Sequence, residues 1–289
     1  MAVILAIGAA LGFGTADFIG GLKSRRHPLP LVLAISQGTA LAVVSIALIA
    51  TRQPLESFEG AAIGFLSGVF SLLGLAFYYR GLAIGAMGVV GPIAATAVVI
   101  PLAVGLSSGD QLSSVQVGGI ALAVTGIVAL AYRSAPGPAG HHVAVGVGLG
   151  VLAALGIGIY YSLIDAATAS ATVLWVVFFN RVGAGLTIVA FVYPFFRARG
   201  PLSRPERSRE QLSKPDVGWL LAMGVIAVTS IALLAAATTK GALSIVSVLA
   251  ATFPVTTILL ARLVLGERLG GVQRVGAVAA LAGVALIAL

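Results

Sequence analysis

Gly266-Glu267-Arg268-Leu269, between the apolar runs Gly241–Leu265 and Gly270–Leu289, decides how this chain is read. The same pattern stands earlier as Gly109-Asp110-Gln111-Leu112, and a shift of 157 residues lays one copy on the other. Seven of the eighteen positions from Gly109 to Gly126 are then identical: Gly109/Gly266, Leu112/Leu269, Val115/Val272, Gln116/Gln273, Gly119/Gly276, Ala123/Ala280 and Gly126/Gly283. Asp110/Glu267 adds a conservative exchange. A second match lies upstream, where Ala9-Ala10-Leu11-Gly12-Phe13-Gly14 equals Ala153-Ala154-Leu155-Gly156-Ile157-Gly158 at five of six positions, at a shift of 144. The chain reads as an internal duplication.

Composition fixes the solvent. Of 289 residues, 59% are hydrophobic and 9% charged, whereas a soluble domain carries roughly a quarter of its residues charged. Most of the surface therefore faces lipid. Ten apolar runs approach the roughly 20 residues that cross a hydrocarbon core as a helix. Helices are the default, since lipid offers no partner to an unpaired backbone group. The expected spans are Ala2–Leu22, Pro30–Ala50, Gly60–Tyr79, Met87–Leu106 and Val115–Tyr132 in the first half. Val143–Ala166, Thr172–Phe196, Asp216–Thr239, Leu243–Leu265 and Gly270–Leu289 make up the second. This divides the chain into 1–132, a Pro-Gly-Pro linker at 133–142, and 143–289. The polar stretch Arg197–Pro215 reads as a surface loop. The first span resembles a signal peptide only in hydropathy. It has no basic n-region, and it has a counterpart inside the chain. No cysteine is present, so thiol chemistry is excluded.

Five spans per half is an odd number, so the second half enters the membrane from the opposite side. Charge agrees: Lys23-Ser24-Arg25-Arg26 follows the first span, and its counterpart is Ala167-Thr168-Ala169-Ser170. Of 17 Lys and Arg residues, 14 lie in or beside odd-numbered loops, two (Arg52, Lys240) beside even-numbered ones, and one, Arg181, inside a span. The positive-inside rule puts the odd loops in the cytoplasm and both termini outside. Topology thus accounts for the net charge of +8, and no nucleic-acid partner is implied.

The duplicated Gly-Asp/Glu-x-Leu with its Gly-containing final span resembles the drug/metabolite transporter superfamily, in particular its ten-helix EamA-type members. So do Arg80-Gly81 and Lys240-Gly241, Pro254, Gly12-x-Gly14 and Arg181. The resemblance implies an all-α integral membrane protein of ten transmembrane helices, arranged as two inverted five-helix repeats around a central cavity. It implies secondary active transport, as exporter or exchanger, of small organic solutes across a plasma (bacterial inner) membrane. Gln37, the repeat partner of Arg181, stands near where members often carry an Arg.

Polar groups at membrane depth mark candidate sites. Asp17 is the only carboxylate well inside a span. It reads either as a proton or substrate-amine site, or as an interfacial acid neutralised by Lys23 or Arg25. Arg181, beside Asn180, either holds a solute carboxylate or pairs structurally with backbone carbonyls or Asp165. Phe13, Phe77, Tyr78, Tyr79, Tyr160 and Tyr161 are candidates for an aromatic cavity, with Tyr78 and Tyr79 also suited to the interfacial belt. Pro92, Pro101 and Pro254 interrupt spans four and nine, as broken helices do at transport sites. Thr96, Ser244, Ser247 and Thr252 add hydroxyls nearby. Asp110 and Glu267 read as acids stabilised at the N-termini of spans five and ten.

These features favour a carrier of small amphipathic metabolites, such as amino acids, with protons as candidate coupling ion through Asp17. A multidrug or cationic-compound efflux carrier is the alternative. No Walker-type loop, cofactor motif or metal cluster is apparent. An intramembrane enzyme would need convergent catalytic groups, yet His27, His141 and His142 all fall in loops. A channel or passive scaffold remains the third class.

Overall fold

A chain that cannot leave backbone groups unpaired in lipid should be built of helices, and its described residues are. The computed structural model describes residues 1–24, 26–55, 57–83, 93–94, 96–131, 140–194, 212–265 and 270–287, and among them every regular element is a helix. The first half holds α1 (Ala2–Ser24), α2 (Leu29–Thr51), α3 (Phe58–Ala83), α4 (Val99–Ser107, entered through a 3-10 turn, Thr96–Val98) and α5 (Ser114–Ala131). The second holds α6 (Gly140–Thr168), α7 (Val173–Thr187, running on into a π stretch, Ile188–Val192) and α8 (Lys214–Thr238). It ends with α9 (Leu243–Ala250), α10 (Phe253–Leu265) and α11 (Gly271–Ile287). Among the described residues six segments are long and apolar enough to cross a membrane: Ala2–Ser24, Leu29–Thr51, Phe58–Arg80, Val147–Thr168, Val173–Val192 and Lys214–Thr238. The remaining apolar helices are shorter. Large apolar side chains such as Ile46, Ile49, Val189, Leu263 and Val275 project outward, as a lipid-facing surface requires.

Boundaries follow local chemistry. Pro30 sits in the first turn of α2, where its missing N–H costs nothing. Ser213 and Asp216 form a reciprocal capping box at the start of α8. The helix of span six begins at Gly140, inside the stretch expected to be linker. Span nine is broken at Ala251–Thr252, just ahead of the residue pair Phe253-Pro254, so the break forecast from proline is present. Pro92 and the Glu267 motif lie outside the described residues.

Packing comes in exchanged pairs. α1 packs on α8 as α6 packs on α3; α3 packs on α7 as α8 packs on α2; α5 packs on α11 and α2 on α7. Close approaches repeat the pattern residue by residue. A Cβ on Gly12 would overlap Ser230 and touch Ile226, and one on Gly156 would meet Gly74 and Phe70. Gly68 faces the carbonyl of Asn180, as Gly224 faces that of Ser36. At the α5–α11 contact Gly126 abuts Gly276 and Ala280, while Gly283 abuts Gly119 and Ala123. Those six residues make up three positions at which the two copies of the sequence are identical, and the crossing explains why: lipid supplies no hydrophobic drive, so helices cohere by close backbone packing at small residues.

This generates a paired test. Gly126→Ala puts a methyl against the backbone of Ala280, whereas Gly118→Ala, with nothing within 4 Å, meets open space. Gly126→Ala should destabilise by about 1–3 kcal/mol, read as a lower Tm in detergent, and Gly118→Ala should leave Tm unchanged or raised.

Candidate functional site

The polar residues of the interior converge from five helices, α1, α2, α3, α6 and α7. Asn180 and Arg181 stand midway along α7, and both are buried, Arg181 at 3% exposure. The guanidinium Nε donates to Asn180 Oδ1 at 3.0 Å, with a second donation from Nη2 to the same oxygen. Its Nη1 donates to Gln37 Oε1 on α2. Asn180 Nδ2 in turn donates to Ser67 Oγ on α3 at 2.7 Å, and Ser67 closes the chain on Gly64 O at 2.6 Å. Arg181 thus bonds to its own repeat partner, where the two halves meet. Among the described residues no carboxylate lies within ion-pair distance of it, Asp165 included.

A second cluster surrounds Asp17 on α1. Tyr79 Oη donates to Asp17 Oδ1 at 3.4 Å, and the Tyr78 and Tyr79 rings lie 5.8 Å apart. Tyr160 and Tyr161 on α6, rings 5.2 Å apart, connect the clusters. Tyr161 is within coulombic reach of Asp17, and Tyr160 within that of Arg181. Tyr160 is 6% exposed, and its hydroxyl has no hydrogen-bond partner. A buried hydroxyl left unpaired is costly and so informative. Phe13 packs at the edge of the main apolar core alongside these residues.

Several sequence expectations are corrected here. Tyr79 is not simply a belt residue, because its hydroxyl reaches the buried acid. Lys23 does not neutralise Asp17. It pairs with Asp216 at 2.7 Å, tying the end of α1 to the start of α8, while buried His27 approaches the same carboxylate at 3.4 Å. Asp110 does not serve the helix that follows it, since α5 is opened by a Ser113–Gln116 capping pair. Its carboxylate accepts instead from Ser244 N–H in the other half, at 2.9 Å. Of the hydroxyl candidates, Thr96, Ser247 and Thr252 bond to carbonyls of their own segments, at Ile93, Ser244 and Leu249, and Thr96 is exposed. Ser244 Oγ reaches Leu102 O at 3.4 Å. Ser67 was not singled out in sequence, and Asn180 was named there only as the neighbour of Arg181. Among the described residues no His, Asp or Glu cluster is placed to hold a metal ion.

What these elements define is an integral, multi-pass helical membrane protein with a buried, polar, aromatic-rich interior between two sets of exchanged contacts. The chain belongs to the EamA-like transporter family, whose model matches residues 1–132 and again 144–289. No curated protein matches it. A solved crystal structure is similar at a TM-score of 0.74 and 18% identity, over 99% of this chain and 95% of its own length, which bears on the fold alone.

The network makes separable forecasts. Asn180→Ala strands both the Arg181 guanidinium and Ser67, and should cost about 1–3 kcal/mol, read as a lower Tm. Tyr160→Phe removes a hydroxyl that bonds to nothing in this state, so its Tm should hold.

Proposed function

We propose that the protein is a secondary active transporter of small amphipathic solutes that carry both a carboxylate and an amine, amino acids and their relatives foremost. The observation that carries this reading is that Asp17 and Arg181 share one apolar interior without pairing with each other or, among the described residues, with another opposite charge. A charge at the bilayer centre costs about 2.5–3.5 kcal/mol or more, so two uncompensated charges of opposite sign are costly to keep. A zwitterion satisfies both: its carboxylate toward Arg181 and the free Tyr160 hydroxyl, its ammonium toward Asp17 and the surrounding rings. The cluster of tyrosines around Asp17 also favours a second reading, an organic cation held by Asp17 alone, as in multidrug efflux.

The mechanism is alternating access between two inverted five-helix repeats, 1–132 and 143–289, with ten spans, odd loops cytoplasmic and both termini outside. The exchanged helix contacts support the repeat, and the distribution of Lys and Arg supports the orientation. Asp17 carries the coupling proton where transport is proton-linked.

Counterflow in proteoliposomes tests the substrate class. A panel of the common amino acids is compared with their methyl esters and N-acetyl derivatives. We expect exchange of at least one zwitterion, with each singly charged analogue weaker by about tenfold or more, equivalent to 1.4 kcal/mol. Arg181→Gln should erase the preference over the ester. If organic cations exchange and zwitterions do not, the cation reading takes its place. Full pH-driven transport by Asp17→Asn would rule out that residue as the proton carrier.

A further inference from the structure

The Gly-Asp step after α4 does something that its position in the chain hides. Gly109 sits in the left-handed region at φ +99°, and Asp110 N–H reaches back to Gly105 O at 3.0 Å. This is the closure that ends a helix when a glycine follows it. It turns Asp110 back across the end of α4, onto the N-terminus of α9 in the other half. There the residue before the helix, Ala242, offers no side-chain cap, and Ser244 N–H donates to the Asp110 carboxylate at 2.9 Å. Gly105 is what permits the fit, since a Cβ would overlap both Asp110 and Ser244 Oγ. Beside it, the hydroxyls of Thr168 (α6) and Thr238 (α8) meet at 3.1 Å.

The counterpart of this contact, Glu267 against the start of span four, lies outside the described residues, but the threonine pair has a counterpart that can be compared. Under the exchange that relates the two halves, Thr168 and Thr238 correspond to Ser24 and Leu82. Leu82 has no hydroxyl to offer, and Ser24 Oγ is buried without a partner. α6 also packs on α8, whereas among the described residues α1 and α3 make no comparable backbone contact. The end that carries the even-numbered loops is thus joined across the halves by Asp110 and Ser244, and within the second half by Thr168 and Thr238.

We propose that Asp110 is a releasable latch: capping α9 from the opposite half, it holds shut the end of the transport path that carries the even-numbered loops. The proposal rests on the alternating-access reading and adds the contact that has to break. A cap is suited to that work. It is a single charge-assisted bond to a helix terminus, satisfied by water when it opens, so release leaves no buried group unpaired. Outside it lies a recess of about 460 Å³ lined by Gln111, Asp165, Thr239 and the start of α9. Water can reach the latch from there. Asp165 on the same recess is within coulombic reach of Asp110, a like charge that would favour separation once the cap is lost.

The test needs no substrate. The chain has no cysteine, so Gln111→Cys with Thr239→Cys gives two spin labels on exposed positions of opposite halves. In the parent background the distance distribution should be dominated by one short population. Asp110→Ala should raise the ratio of long to short populations by about tenfold, as expected for one charge-assisted bond. Asp110→Asn, which keeps an acceptor without the charge, should fall between. If Asp110→Ala fails to fold, the Asn variant decides. A folded variant whose distribution matches the parent overturns the latch, while leaving the transport assay untouched. Loss of counterflow with the distance shift intact would instead count against the transport reading.

Discussion

Helices dissolved in lipid gain little by burying leucine against one another, because the solvent is as apolar as the interface. What holds this bundle together is therefore backbone approach at small residues, and the rest of the structure depends on it. Gly126 and Gly283 let α5 and α11 cross with main chains touching, apart from the central helices. Gly14 lets α10 close on α1 near its break, where Thr257 Oγ1 donates to Gly14 O at 3.0 Å. Gly158 does the same for the 3-10 turn ahead of α4, at the carbonyl of Ala97. A single methyl at any of these crossings pushes against backbone, which cannot move aside as a side chain can. The glycines fix how far apart the interior helices stand, and thus whether Asp17, Tyr160 and Arg181 can belong to one site.

The meeting of α2 and α7 shows what duplication costs and how it was resolved. Ser36 corresponds to Asn180 and Gln37 to Arg181, and Gln37 meets Arg181 where α2 and α7 join. If both halves kept an Arg at this position, two guanidiniums would meet in an apolar interior with no acid between them. The neutral amide of Gln37 turns that repulsion into a hydrogen bond, and Asn180 takes two more N–H groups. Arg181 retains its positive charge while its geometry is fixed by neutral partners. An arginine held this way is fixed in place yet, among the described residues, has no anion beside it. A structural ion pair would have supplied one.

Most of the architecture was legible in the sequence because lipid simplifies the rules. Apolar length foretold a helical chain, six of whose expected spans are membrane-length helices among the described residues, and the glycines shared at the shift of 157 turned out to be crossing points of α5 and α11. Individual side-chain partners were harder to read. Tyr79 looked like an interfacial residue because it sits near a helix end, and nothing local reveals that α1 brings Asp17 within reach of it. Lys23 is six residues from Asp17 in the chain, but its partner Asp216 is brought by α8 from the far half. Asp110 was assigned to the helix beside it, since an acid after glycine is a common cap. The Ser113–Gln116 pair had already filled that role, which freed the carboxylate to act across the interface. In each case the deciding neighbour was distant in sequence, and for Lys23 and Asp110 it came from the other repeat.

The two halves agree in backbone and disagree in charge, and the disagreement has a physical use. Where α1 ends against α8, the contact is made by Lys23, His27 and Asp216. The exchange-related contact, α6 against the start of α3, falls on Ala167, Ala171 and Gly60, and there a Cβ on Gly60 would crowd Ala171. The same approach of helix ends is achieved by an ion pair at one end and by absence of side chain at the other. A two-fold bundle with identical ends would have no preferred orientation in the membrane, because either half could lead. Concentrating cations at one end removes that equivalence, and pairing Lys23 with Asp216 of α8 lets the charge sit at the rim, about a turn and a half along α1 from Asp17.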